Sequence, residues 1–177
     1  MLLAPVFSQV QDESGESLIF FAAEELAAGR LTSALEAYER ATLVSDGSSS
    51  HFCRLKILQI QFELGRFSEL SLLASQLANE NVEDHILGDV LLIQIHSLIK
   101  EGRKEEALLI MEEKSLFLSS YPPWAMGLSD AYEQLDMIPE AGRLQWIIKR
   151  DFPSSPEAMV LTGRGERRLK PNDLILP

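Results

Sequence analysis

The sequence predicts an all-helical fold of about four antiparallel helical hairpins closed by a C-terminal capping segment. Three observations predict it. Leu, Ala, Glu and Ser dominate while Val is scarce, which favours helices over strands. Apolar residues recur at three- and four-residue spacing from residue 15 onward. Most tellingly, residues 29–41 combine a turn glycine with a helix that has Ala34, Tyr38 and Ala41 on one side, and the pattern returns. It recurs at 65–77, at 102–114 and, without the glycine, at 136–148. The turn positions 29, 65, 102 and 136 are 36, 37 and 34 residues apart, which marks an internal repeat.

Residues 1–13 read as a leader. Its opening, Met1-Leu-Leu-Ala-Pro-Val-Phe-Ser-Gln, looks like the last part of a secretory signal, with Val6 and Ser8 at the small-residue positions. The basic start and full apolar core of a working signal are missing from it. A single helical-repeat domain is expected over 14–161, in units of about 15–50, 51–83, 84–121 and 122–155. Ser14 and Ser17 can cap a first helix over 15–28, with Glu16 in its positive first turn. Gly29 stops it, and a second helix follows over about 31–44. Residues 45–50 read as a turn. The remaining pairs are expected at 51–64 with 67–79, 84–101 with 104–118, and 123–135 with 138–150. Short loops make each pair antiparallel. Pro139 suits a first helical turn, where its missing N–H has no partner to lose. A short helix from Pro156 should cap the fourth unit and break at Gly163 and Gly165. The tail 162–177 is basic, then apolar and extended.

Composition narrows the function. The 177 residues are 46% hydrophobic and 24% charged, as in ordinary folded domains, and carry a net charge of −11. Such a field gives no help toward phosphate backbones, so no nucleic-acid partner is expected. No run approaches the roughly 18 apolar residues of a membrane-spanning helix. The one cysteine, Cys53, excludes an internal disulfide and reads as an inert core thiol. Trp124 and Trp146 read as packing residues of the fourth unit. His85 and His96 lie about three helical turns apart, and His51 and Cys53 point to different sides of a helix, so no metal is expected. No phosphate loop or nucleophile turn occurs, and the adjacent pairs Glu24-Glu25, Glu105-Glu106 and Glu112-Glu113 diverge on helices. No cofactor and no catalytic residue is expected.

With those residues in view, the chain resembles the tetratricopeptide repeat family over about 15–158. The alanine-x3-aromatic signature stands intact as Ala34 and Tyr38 and degraded as Ala107 with Met111, Ala141 with Gln145, and Leu70 with Ala74. Small residues hold the close-packing position of the first helix at Ala22 and Ser129, whereas Leu58 and Ile95 there imply a wider splay in units two and three. The resemblance implies a right-handed α-solenoid whose first helices line a concave, partner-binding face. Carried over residue by residue, that face comprises Ile19 and Ala23, then Phe52, Leu55, Gln59 and Phe62. It continues with Asp89, Leu92, His96 and Ile99, and ends with Met126, Asp130 and Glu133. The face is apolar toward its middle and acidic toward one end, which suits an amphipathic or basic segment. The family's Lys, Arg and Asn grip on a terminal carboxylate is missing there. The expected function is a non-catalytic interaction scaffold that binds a protein or peptide. The competing readings are a structural homo-oligomer burying its apolar face and an enzyme domain using Asp130 or Glu133. The junction 151–158 is similar to those of bacterial cell-envelope repeat proteins, and with the leader it favours the periplasm over the cytoplasm.

Overall fold

The computed structural model describes residues 14–168, with side chains through 163. The leader 1–13 and residues 169–177 of the tail lie outside the described residues. Everything described is helix or turn, with no strand among the described residues. The chain divides into two compact units, Met1–Leu64 and Gly65–Pro177.

The first unit holds α1 (Gly15–Ala27), α2 (Leu31–Val44) and α3 (Gly47–Glu63). Ser14 caps α1 by accepting from the Ser17 N–H at 3.2 Å, satisfying one of the helix's orphan donors. α1 packs on α2, and α2 on α3. Their core gathers Leu18, Ala22, Ala34, Tyr38, Ala41 and Cys53, all essentially inaccessible. The alanines let the helix axes approach while Tyr38 fills the space between them. Burial pushes the Cys53 thiol and the Tyr38 phenol up from their ordinary values, so both stay protonated. Residues 47–50, expected in a turn, already form the first turn of α3. Serine suits helix starts as well as turns, so composition alone could not separate the two.

The second unit begins with a 3-10 turn, Phe67–Glu69, leading into α4 (Leu70–Ala78). There follow α5 (Asp84–Lys100), α6 (Lys104–Leu118), α7 (Pro122–Gln134), α8 (Ile138–Asp151) and α9 (Pro156–Arg168). Each helix packs on the next, and in addition α5 packs on α7 and α7 on α9. Pro122 opens α7 and Pro139 lies in the first turn of α8, as the missing proline N–H allows. One core joins Ile95, Ala107, Met111, Leu118, Trp124 and Leu128. A second, of Ala125, Ile148, Ala158 and Leu161, seats α9. That seat explains why α9 runs through Gly163 to Arg168 instead of breaking: its first turns are anchored, and Ser155 caps it.

The repeat is visible in the backbone itself. Gly29, Gly65, Gly102 and Asp136 have φ of 74°, 72°, 78° and 60°, the left-handed conformation that ends a helix. The residues after them, Arg30, Arg66, Arg103 and Met137, share φ near −86° to −90° and ψ of 59° to 69°. At three of the turns the same pair of bonds closes the helix. Gly29 N–H donates to Leu26 and Arg30 N–H to Glu25, and the pairs recur as Gly102–Ile99 with Arg103–Leu98 and Asp136–Glu133 with Met137–Tyr132. Asp136 stands in for glycine because short polar side chains tolerate this conformation.

Two mid-helix glycines have a different cause. A Cβ on Gly88 would overlap the Trp124 indole, and one on Gly127 would lie 2.7 Å from Leu92 Cδ1. Each glycine is a socket for a side chain of the facing helix, so α5 and α7 lie close. Gly88→Ala should therefore cost about 3 kcal/mol or more in chemical denaturation, as overpacking with no room to relax. Gly102→Ala, with nothing within 4 Å of the added Cβ, should cost only the left-handed backbone penalty of about 1 kcal/mol. Equal costs for the two would show that the socket is not what fixes the helices.

Candidate functional site

The expected partner-facing residues fall on α1, α3, α5 and α7. Those on α5 and α7 share one packed pair of helices within one unit. The sockets set their register. Trp124, only 7% exposed, lies against Gly88 and donates from Nε1 to Asp89 Oδ1 at 2.9 Å. The indole also stacks on Phe117 (5.1 Å between centroids) and meets Tyr121 edge-on (4.9 Å). Asp89 is thereby a partner of the core tryptophan, a role its place on the expected face did not foretell.

Further along, Gln134 Nε2 approaches His96 Nδ1 at 3.2 Å. His96 also has a ring hydrogen bond with the backbone of Gly127. Burial holds its imidazole below the ordinary value, against the opposing pull of the Gly127 hydrogen bond. Glu133 Oε1 accepts from Gln145 Nε2 at 2.7 Å, and the same amide donates to Ser129 Oγ at 3.1 Å. Ser129 is buried where α7 meets α8, so this chain of bonds fixes the Glu133 carboxylate from below. Asp130 and Glu133 are exposed.

The apolar part of the expected face is mostly half-buried. Leu55 is 4% exposed and offers no surface, which corrects its placement in a groove. Leu92 and Ile99 pack on the core of α5, α6 and α7, and Met126 on the core that seats α9. In the first unit Ile19 packs on the core of α1 and α2. Gln59 accepts from Lys56, whose ammonium sits 5.4 Å from the Phe52 ring centre, and Phe52 meets Tyr38 edge-on. Phe62 is half-buried, while Phe52 and Ala23 are exposed. The reason is periodicity: a face read one helical position off exchanges groove for core. What remains open on α7 is polar and acidic.

Sequence reasoning missed the pairing of Asp89 with Trp124 and the two sockets. A signal existed, since glycine inside a helix costs about 1 kcal/mol against alanine and is kept where another chain segment comes close. It missed too a hollow on another side of α5, between α4 and α6. Trp146, read as a packing residue, is 55% exposed, with the Arg150 guanidinium 4.2 Å above its ring. Among the described residues no three His, Cys, Asp or Glu side chains gather as metal ligands would. No described helix is long and apolar enough to cross a membrane.

The His96 environment sets a pH dependence. Its folded value lies below the ordinary 6.5, so the unfolded chain binds the proton more readily. The stabilisation is complete above pH 6.5 and is lost as pH falls toward the folded value. Thermal melts from pH 7 to pH 5 should show this loss in the wild type and a smaller one in His96→Gln. Comparisons with known protein families, with curated proteins and with solved structures find no match to this chain.

Proposed function

We propose that the protein is a non-catalytic adaptor of the tetratricopeptide kind, a right-handed stack of about four hairpins that holds a segment of another protein. The observation that carries this reading is the four-fold turn, with one backbone geometry at positions 29, 65, 102 and 136. A hairpin repeated at constant spacing cannot cover its own apolar face alone, so such units stack, and stacked units present extended surfaces. The bound segment is basic. Asp130 and Glu133 stand exposed on α7, in a chain of net charge −11, and Glu133 is held in place by Gln145. A carboxylate held as Glu133 is has less side-chain freedom to lose on binding a cation.

Selection of a random peptide library on the full chain tests the proposal. Enriched peptides should be rich in Lys and Arg, and an Asp130→Lys, Glu133→Lys double variant of unchanged helicity should bind them at least ten-fold more weakly. No enrichment, or enrichment indifferent to the variant, would overturn the reading. Light scattering run alongside should show a mass that does not change with concentration.

A further inference from the structure

The second unit carries a hollow that the proposed peptide site does not use. α4 and α6 form its walls and α5 its floor, in two adjoining parts of about 520 and 430 Å³ that share Ser75, Gln94 and Ile110. The floor is Leu87, Leu91, Gln94 and Leu98. These stand at i, i+4, i+7 and i+11, one stripe of α5 about 16 Å long. Asp89, Leu92 and His96 lie on a different side of the same helix, at least a quarter-turn away by the 100° step per residue. On the walls, Leu72 of α4 is 61% exposed and Leu109 of α6 is 65% exposed. Leu116, one heptad beyond Leu109, is 85% exposed.

The charges that line the trough are balanced, Arg103 and Lys114 against Glu106 and Glu113. α4 carries no charge of either sign, so the excess of acid lies on the outer side of α6. α6 carries Glu105, Glu106, Glu112 and Glu113, all exposed, against Lys104 and Lys114. Two nearby cations are already engaged: Arg103 bridges Glu101 and Glu106 at 2.9 and 2.7 Å, and Lys114 meets Glu113 at 2.6 Å. Glu105 and Glu112 flank Leu109 on the outer side of α6, at i−4 and i+3. Two α6 helices crossing antiparallel near Leu109 would set Glu105 against Glu113 and Glu106 against Glu112. Antiparallel pairing of two α6 helices across this trough is therefore disfavoured.

We propose that the α4–α6 trough is a docking groove for a three-turn amphipathic helix of another protein, with an apolar stripe bordered by Lys or Arg. The stripe packs on Leu72, Leu109 and Ile110 over the α5 floor, and the basic border meets Glu105 and Glu112. This is helix-in-groove recognition, in which apolar contact supplies affinity and the acidic wall sets orientation and partner choice. The site is independent of the α7 carboxylates, so it stands or falls apart from the reading above.

The probe is a synthetic 14-residue peptide with Leu at positions 1, 4, 8 and 11 and Lys beside them, titrated into the full-length chain by fluorescence anisotropy. Because the probe is basic, the titration is run on the Asp130→Lys, Glu133→Lys chain, which lacks the proposed α7 site. Saturable binding is expected there, and at least ten-fold weaker binding once Leu72→Ser and Leu109→Ser are added. Replacing the peptide's lysines by glutamates, or raising salt to about 0.5 M, should also weaken it, because exposed charge pairs are screened. A photoreactive group at the peptide's centre gives a readout on the wild-type chain that needs no variant, with adducts expected within residues 68–79 and 103–117. Binding that survives the leucine substitutions, equals that of a scrambled peptide, or gives no adduct within those two segments would overturn the proposal, whereas adducts on α7 in addition belong to the site proposed above. So would self-association of the free chain that Leu109→Ser abolishes, which would assign the groove to a second copy.

Discussion

The second unit depends on a close contact between α5 and α7, made possible by two missing Cβ atoms. Gly88 on α5 receives Trp124 of α7, and Gly127 on α7 receives Leu92 of α5. Each helix is both knob and hole for the other, so neither rotation nor sliding can improve one contact without losing the second. The hydrogen bond from Trp124 to Asp89 adds a directional term, since a buried indole N–H without an acceptor would cost free energy. Phe117 and Tyr121 then fix the other faces of the same indole, tying the end of α6 and the following loop to the α5–α7 pair. Where Asp130 and Glu133 stand follows from this arrangement.

The recurrent turn works on a different scale. It stores little energy, yet sets the direction in which each chain segment leaves its helix. Because the same dihedral angles recur, the four turns redirect the chain alike, and at two of them the arginine after the turn reaches carboxylates beside it. Arg30 does so with Glu25, whose carboxylate its guanidinium, with help from Ser33, holds down to about 2. Arg103 does so with Glu101 and Glu106. The guanidinium of each is largely in water, so these pairs refine the turn more than they stabilise the fold.

Helix order and turn positions were legible because they rest on local rules. A left-handed turn needs glycine or a tolerant substitute, and amphipathic spacing survives in a single sequence. The candidate site was legible only in part. Asp130 and Glu133 are exposed, as charged residues have strong reasons to be. Leu55 is buried and Leu92 and Met126 are half-buried, since an apolar side chain fits a groove or a core equally well until the neighbouring helix is placed. The α4–α6 trough escaped for the complementary reason. Ala107, Met111 and Leu118 make one apolar row on α6, and Leu109 with Leu116 a second, and only packing shows which row the core takes. In α9, tertiary anchoring by Ala158 and Leu161 outweighed the glycines that a local reading took for a stop.

The chain's few rare side chains happen to be sorted between its two units. Its one cysteine, Cys53, is fully buried in the first, while both tryptophans, one enclosed and one facing water, belong to the second. Thiol labelling therefore times the opening of residues 1–64, and the shift of indole emission times that of residues 65–177, in the same unmodified sample. Two clocks on one chain make it possible to ask whether the halves unfold together or in turn, without introducing a single reporter.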